Sequence, residues 1–212
     1  MHRKIGLVVF DVDGTLTSVE SSWRYLHAAL GTWDRGRAAA RKYEQGDISY
    51  TEWAETDAKC WAGKSQSAVY ALLEKIPYSR GVKTVFEELK FRHVKTALVS
   101  AGLSILANKF AEELGADFVA ANDLEANDGM LTGRIKVRVP VTEKASVVQD
   151  IARKASIPIG EVALVGDSMY DLPLDECLKI AYKPKDHGAR AIADVVIEDD
   201  DLSRVLAYLE TE

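Results

Sequence analysis

Cysteine is scarce: Cys60 and Cys177, far apart in 212 residues, make neither a disulfide framework nor a metal-ligand cluster. The four histidines have no ligand spacing, so a zinc-type site has no basis. Basic residues are not in excess. With 27 Lys and Arg against 33 Asp and Glu, the formal charge of -6 leaves no bulk electrostatic footprint for nucleic acid. Long apolar runs are missing as well. The basic start MHRK precedes only Ile5 to Phe10, too short for a signal-peptide core or a membrane span, so a cytoplasmic protein without a membrane partner is expected. No G-x-x-x-x-G-K-S/T or G-x-G-x-x-G pattern follows a strand, which removes support for a nucleotide-dependent kinase or dehydrogenase. There is no internal repeat and no low-complexity segment. What is present, 47% hydrophobic and 28% charged residues, suits an ordinary globular chain of one large domain with an insertion, or of two small ones.

Ile5-Gly6-Leu7-Val8-Val9-Phe10 is a continuous apolar run ending at Asp11, the pattern of a strand buried on both faces of a parallel sheet. From about 18 to 77 the pattern turns helical, with helices expected over 20–30, 35–44, 51–61 and 65–76. Gly31, Gly46 and Gly63 punctuate them, and the block reads as a small helical module inserted after the first strand. Strand and helix then alternate: a helix over 81–91, a strand over 94–100, a helix over 104–114 and a short strand over 117–120. Asn127-Asp128-Gly129 predicts a β-hairpin whose second strand runs over 134–139. Its three basic residues, Arg134, Lys136 and Arg138, share one face and read as solvated edge decoration. A helix over 143–155, strands over 162–166, 179–181 and 195–197, and a last helix over 201–209 complete the chain.

Four segments carry chemistry. In Asp11-Val12-Asp13-Gly14-Thr15 two carboxylates follow a buried strand, where one can act as nucleophile and the other as proton donor. A carboxylate attacking a phosphate monoester forms an acyl-phosphate, and the like charges call for a divalent cation between them. Asp and Gly are also common turn formers, so the short pattern alone leaves a structural reading open. Ser100-Ala101-Gly102 ends a second apolar strand and offers a hydroxyl and backbone N–H groups to a phosphoryl oxygen, or else Ser100 caps the next helix. Lys144 opens a helix, where lysines are ordinarily solvated. Gly166-Asp167-Ser168-Met169-Tyr170-Asp171 ends a third buried strand in a carboxylate with another four residues on, which suits an oxygen site for Mg²⁺.

In this order the four segments resemble the haloacid dehalogenase superfamily, and they span nearly all of the sheet-forming sequence. The resemblance implies a Rossmann-like, doubly wound parallel α/β sheet over 1–17 and 78–212, with a helical cap over 18–77 and a small β-hairpin. It implies Asp11 as nucleophile, Asp13 as general acid/base, Ser100, Ala101 and Lys144 around the phosphoryl group, and Asp11, Asp13 (through its carbonyl) and Asp167 around Mg²⁺. Asp171 is implied as support for the metal or for Lys144. Within the superfamily the chain is most similar to phosphoserine phosphatases. Glu20 falls where those enzymes use a carboxylate for the substrate amine, although it can equally favour a helix start. Three positions depart. No Arg occurs from Gly46 to Lys75, where those enzymes carry one for the substrate carboxylate; Tyr170 stands for an Asn; and Ala101 replaces a glycine.

The expected activity is Mg²⁺-dependent hydrolysis of a small phosphorylated metabolite through an aspartyl-phosphate. The alternatives are phosphoryl transfer or mutase action by the same site, and a receiver-like signalling domain whose aspartate is phosphorylated. Trp23, Trp53 and Trp61 are expected to pack a core rather than line a pocket, and Lys59 to be solvated or to replace the missing arginine. The substrate and the oligomeric state stay open.

Overall fold

The computed structural model describes residues 4–209. The apolar run forms strand β1 (Leu7–Phe10), with all four side chains buried. Leu7 and Val9 face one core while Val8 and Phe10 face the other, as the two-residue period of a strand requires. Each of these side chains contributes about 1.5–3 kcal/mol by leaving water. That doubly buried strand is the centre of a seven-stranded sheet. With β2 (Lys95–Leu103), β3 (Phe118–Asn127), β4 (Met130–Lys136), β5 (Val162–Gly166), β6 (Leu178–Tyr182) and β7 (Val195–Ile197), the order is β4-β3-β2-β1-β5-β6-β7. All neighbours pair in parallel except β3 with β4.

Helices cover both faces. Apolar residues of α5 (Val82–Phe91) and α6 (Ser104–Leu114) fill the core with Val8 and Phe10, and α7 (Lys144–Ala155) and α8 (His187–Ile192) fill that with Leu7 and Val9. The fold is a doubly wound, mostly parallel α/β sheet. No helix among the described residues is long and apolar enough to cross a membrane.

Between β1 and α5 the chain forms α1 (Ser22–Ala29), α2 (Trp33–Glu44), α3 (Tyr50–Cys60) and α4 (Gln66–Leu73). Ser21, Ser49 and Ser65 cap α1, α3 and α4 through their side chains, and Ser49 forms a capping box with Glu52. A buried polar pair ties α1 to α3: His27 Nε2 lies 3.2 Å from Asp57 Oδ1, and the opposite ring nitrogen, Nδ1, is 2.7 Å from the Thr32 hydroxyl. Gly36 packs flat on that imidazole, since a Cβ there would come within 2.7 Å of two ring atoms. With the ring held on both sides it has nowhere to move. Gly36→Ala is therefore expected to lower stability by about 1–3 kcal/mol despite the better helix propensity of alanine, read as a fall in Tm. An unchanged Tm would refute the locked-ring argument.

Several elements differ from the sequence expectation. β3 is not short; it leaves its parallel partner and continues to Asn127 as the first arm of the hairpin. Asp128 and Gly129 both take positive φ, 47° and 76°, the turn that Asn-Asp-Gly encodes, but the second arm begins at Met130 rather than at 134. Arg134 and Arg138 are not merely solvated, because each pairs with a carboxylate of β3, Glu125 and Asp123. The final segment Leu202–Ala207 is a 3-10 helix rather than an α-helix, and α8 was not expected at all.

Candidate active site

β2, β1 and β5 are adjacent, so their carboxyl ends lie side by side where the strand order reverses, the usual ligand site of an open parallel sheet. Asp11 follows β1 and Asp167 follows β5, and the Asp11 N–H donates to Val165 O at 2.9 Å. Gly14 takes φ 82°, and a Cβ there would fall 2.1 Å from Asp167 Oδ2, so only glycine lets the first loop lie against the second carboxylate. Lys144 comes from the opposite side on α7. Its ammonium donates to Asp11 Oδ1 at 2.7 Å and to Asp171 Oδ1 at 2.5 Å, with all three side chains buried. It is not the solvated lysine that its position in the helix suggested. Asp171 Oδ2 accepts from both the N–H and the hydroxyl of Ser168, at 2.9 and 2.6 Å, so the carboxylate that orients Lys144 is itself fixed.

Asp13 is held differently. Its Oδ2 accepts from the Ser22 N–H at 2.8 Å and the Ser22 hydroxyl at 2.7 Å, while Oδ1 is buried and unpartnered. Ser22 opens α1, so the first helix of the inserted block orients a carboxylate of the sheet loop. Ser100 does not cap a helix. β2 runs on to Leu103 through an irregularity, and the Ser100 hydroxyl accepts from the Gly102 N–H at 2.9 Å. A Cβ on Gly102 would sit within 2.8 Å of Asp13 Oδ2 and Ser22 Oγ and 3.0 Å of Ser100 Oγ, which shows how closely these groups converge. Next to it, the Ala101 carbonyl accepts from Trp23 Nε1 at 3.1 Å, the Tyr50 hydroxyl at 2.5 Å and Asn122 Nδ2 at 2.8 Å.

Burial pushes the Asp11 carboxyl well above the usual range, and Asp171 adds to the rise against the pull of Lys144. Burial likewise raises Asp13, opposed by Ser22. Asp167 is pushed up to about 7 by burial, in spite of Lys185. For Asp171 burial is outweighed by Lys144, which holds it low, and Lys144 in turn is held above its ordinary value by Asp11 and Asp171 although burial works against its charge. Oxygens of Asp11, Asp167 and Asp171 lie within 4.8 Å of one another. Crowded, reluctant carboxylates of this kind fit a hard divalent cation such as Mg²⁺, which needs oxygen donors and restores their ionised form.

Asp11, Asp13, Ser100, Lys144 and Asp171 floor a pocket of about 290 Å³, and Asp167 is not part of its lining. Glu20, exposed and one residue ahead of the α1 cap, is at its side. Trp23 and Trp53 line it, so the core-packing expectation holds in full only for the completely buried Trp61. Lys59 is exposed and is not part of the lining. The second cation is instead Lys185, whose ammonium and backbone N–H both donate to Asp167, each at 2.9 Å. Lys185, Ser22, Asn122, Tyr43 and Tyr50 were not singled out from the sequence, and none of them belongs to a local pattern that marks a site.

Comparison with known proteins agrees with this geometry. Residues 8–176 match the haloacid dehalogenase-like hydrolase family. A phosphoserine phosphatase of Archaeoglobus fulgidus is 32% identical over 99% of this chain, which spans 61% of that protein's length. One from Idiomarina loihiensis is 30% identical, with 99% and 96% of the two chains covered. A solved structure described as a phospho-aspartyl intermediate analogue of phosphoserine phosphatase superposes with a TM-score of 0.84 at 27% identity, over 98% of this chain and 100% of that one. Since the family match covers most of the chain and falls on the same loops that build the pocket floor, the chain belongs to the haloacid dehalogenase-like hydrolases.

Proposed function

We propose that this chain is a cytoplasmic, Mg²⁺-dependent phosphatase that hydrolyses a small phosphorylated metabolite with Asp11 as nucleophile. The observation that carries the reading is the buried chain Asp171–Lys144–Asp11 facing an Asp13 oxygen that has no protein partner. Lys144 occupies Asp11 Oδ1, which leaves Oδ2 to attack phosphorus. The P–O bond to the leaving group breaks as the Asp11–phosphorus bond forms, and protonated Asp13 delivers its proton from Oδ1 to the departing oxygen. Its raised pKa suits it to carry that proton. Water then attacks phosphorus, Asp13 takes a proton from it, and Asp11 and inorganic phosphate are released. Ser100 and the backbone of Ala101 hold phosphoryl oxygens, with Lys144 balancing their charge. Asp11, Asp167 and the Asp13 carbonyl would hold Mg²⁺, which supplies positive charge to bring two anions together; Asp171 serves Lys144 instead.

Phosphate release against phosphoryl transfer tests the reaction. With Mg²⁺ and p-nitrophenyl phosphate, phosphate and nitrophenol should appear in equal amounts even with excess glycerol present. Accumulation of glycerol phosphate would favour the transferase alternative, and a stable phosphoprotein the signalling one; the relatives named as phosphatases favour neither.

Stability gives an independent check on the metal. Asp11, Asp13 and Asp167 bind protons more tightly folded than unfolded. Metal-free stability should therefore fall as pH rises from about 4 through about 7. Asp171 has the opposite sign, but its contribution is lost only below about pH 4. Saturating Mg²⁺ is thus expected to raise Tm more at pH 8 than at pH 5. Equal shifts at both values would count against these ligands.

A further inference from the structure

Above its charged floor the pocket is walled by aromatic rings and one carboxylate. Trp23, Tyr43, Tyr50, Trp53 and Tyr170 line it together with Glu20. Trp53 is central: Tyr43 stacks on it at 4.9 Å and 19°, Trp23 at 6.4 Å and 29°, and Tyr50 meets it edge-on at 5.7 Å and 85°. The polar atoms of this wall are largely turned away from a ligand. Trp23 Nε1 and the Tyr50 hydroxyl both donate to Ala101 O, and Trp53 Nε1 is buried with no hydrogen-bond partner.

The wall carries no cation. Lys144 and Lys185 are the only basic residues in the lining, and both are committed to carboxylates, Lys144 to Asp11 and Asp171 and Lys185 to Asp167. Arg24 lies outside the lining, 5.1 Å over the Trp33 ring and 3.9 Å from Glu20 Oε2. A leaving group bearing a carboxylate would meet π faces and Glu20 with nothing to balance it. A positively charged one gains from both, because ring faces carry negative potential and Glu20 is anionic. Between cations, an alkylated ammonium suits this wall better than a primary amine, which needs hydrogen-bond acceptors that the rings do not supply. A cavity of about 290 Å³ holds a phosphoryl group and a short amino alcohol.

Building on the phosphatase reading, we propose that the substrate is the phosphate monoester of a small alkylated amino alcohol lacking a carboxylate, with Trp53, its flanking rings and Glu20 setting specificity.

The test compares kcat/KM, with Mg²⁺, for O-phosphocholine, its uncharged isostere 3,3-dimethylbutyl phosphate and O-phosphoserine, with p-nitrophenyl phosphate as control. Phosphocholine should exceed both the isostere and phosphoserine by about tenfold or more. In Trp53→Leu and in Glu20→Gln the preference over the isostere should shrink towards unity. Equal rates for phosphocholine and its isostere would overturn the role of the cation, and phosphoserine turned over as well as phosphocholine would overturn the absence of a carboxylate; in both cases the phosphatase reading stands. Failure to release phosphate from any of the four esters would remove that reading and this one with it. Should Trp53→Leu not fold, the substrate comparison on the unaltered chain decides by itself.

Discussion

Asp11→Asn is expected to lower phosphate-ester turnover by on the order of 10⁴-fold or more while leaving Tm unchanged or higher. The amide has nearly the shape of the carboxylate and can still accept from Lys144 through its oxygen, but it has no anionic oxygen to attack phosphorus. The effect on stability follows from crowding. Asp11 is buried beside Asp171, which drives its carboxyl well above the ordinary range, so its charge works against the metal-free fold. Lost turnover with a retained Tm thus separates a chemical role from a structural one. Near-normal Mg²⁺-dependent turnover in this variant would sink the assignment of Asp11.

Lys144→Met is expected to damage both properties. Methionine keeps much of the length and the apolar stem but leaves Asp11 and Asp171 buried with no cation between them, a loss of about 3–5 kcal/mol. Without Lys144 both carboxyls shift upwards in the folded protein, so the folded state gains by protonating them. The deficit in Tm should accordingly be smaller at pH 5 than at pH 8. Adding Asp171→Asn should recover part of the stability and none of the turnover, since the cation beside the phosphoryl group stays absent. A single variant with unaltered stability at both pH values would show that Lys144 is not the buried link described above.

Much of this was legible in the chain. The apolar run before Asp11, the similar run before Gly166-Asp167 and the Asn-Asp-Gly turn are local signals, and local signals survive in one dimension. The family resemblance placed Lys144 in the site, although helix position alone suggested a solvated side chain. What escaped was convergence. Asn122 and Tyr50 are brought to Ala101 across 21 and 51 residues, and Lys185 reaches Asp167 from a loop with no motif. Trp23 and Trp53 pack on the core as expected but also line the pocket, for a related reason: periodicity tells which residues leave water, and a pocket wall and a core share that property. The final turn and α8 are short, and weak local patterns leave such segments to tertiary packing.

The Ala101 carbonyl is anchored from two parts of the fold. Trp23 and Tyr50 belong to the helical block, whereas Asn122 belongs to β3 and is tied at its other end to the N–H groups of Arg138 and Val139. The peptide next to Ser100 is thus held in one orientation by groups already in place in the folded chain, so an incoming ester meets a receptor whose conformational entropy has been lost in folding rather than at the moment of capture.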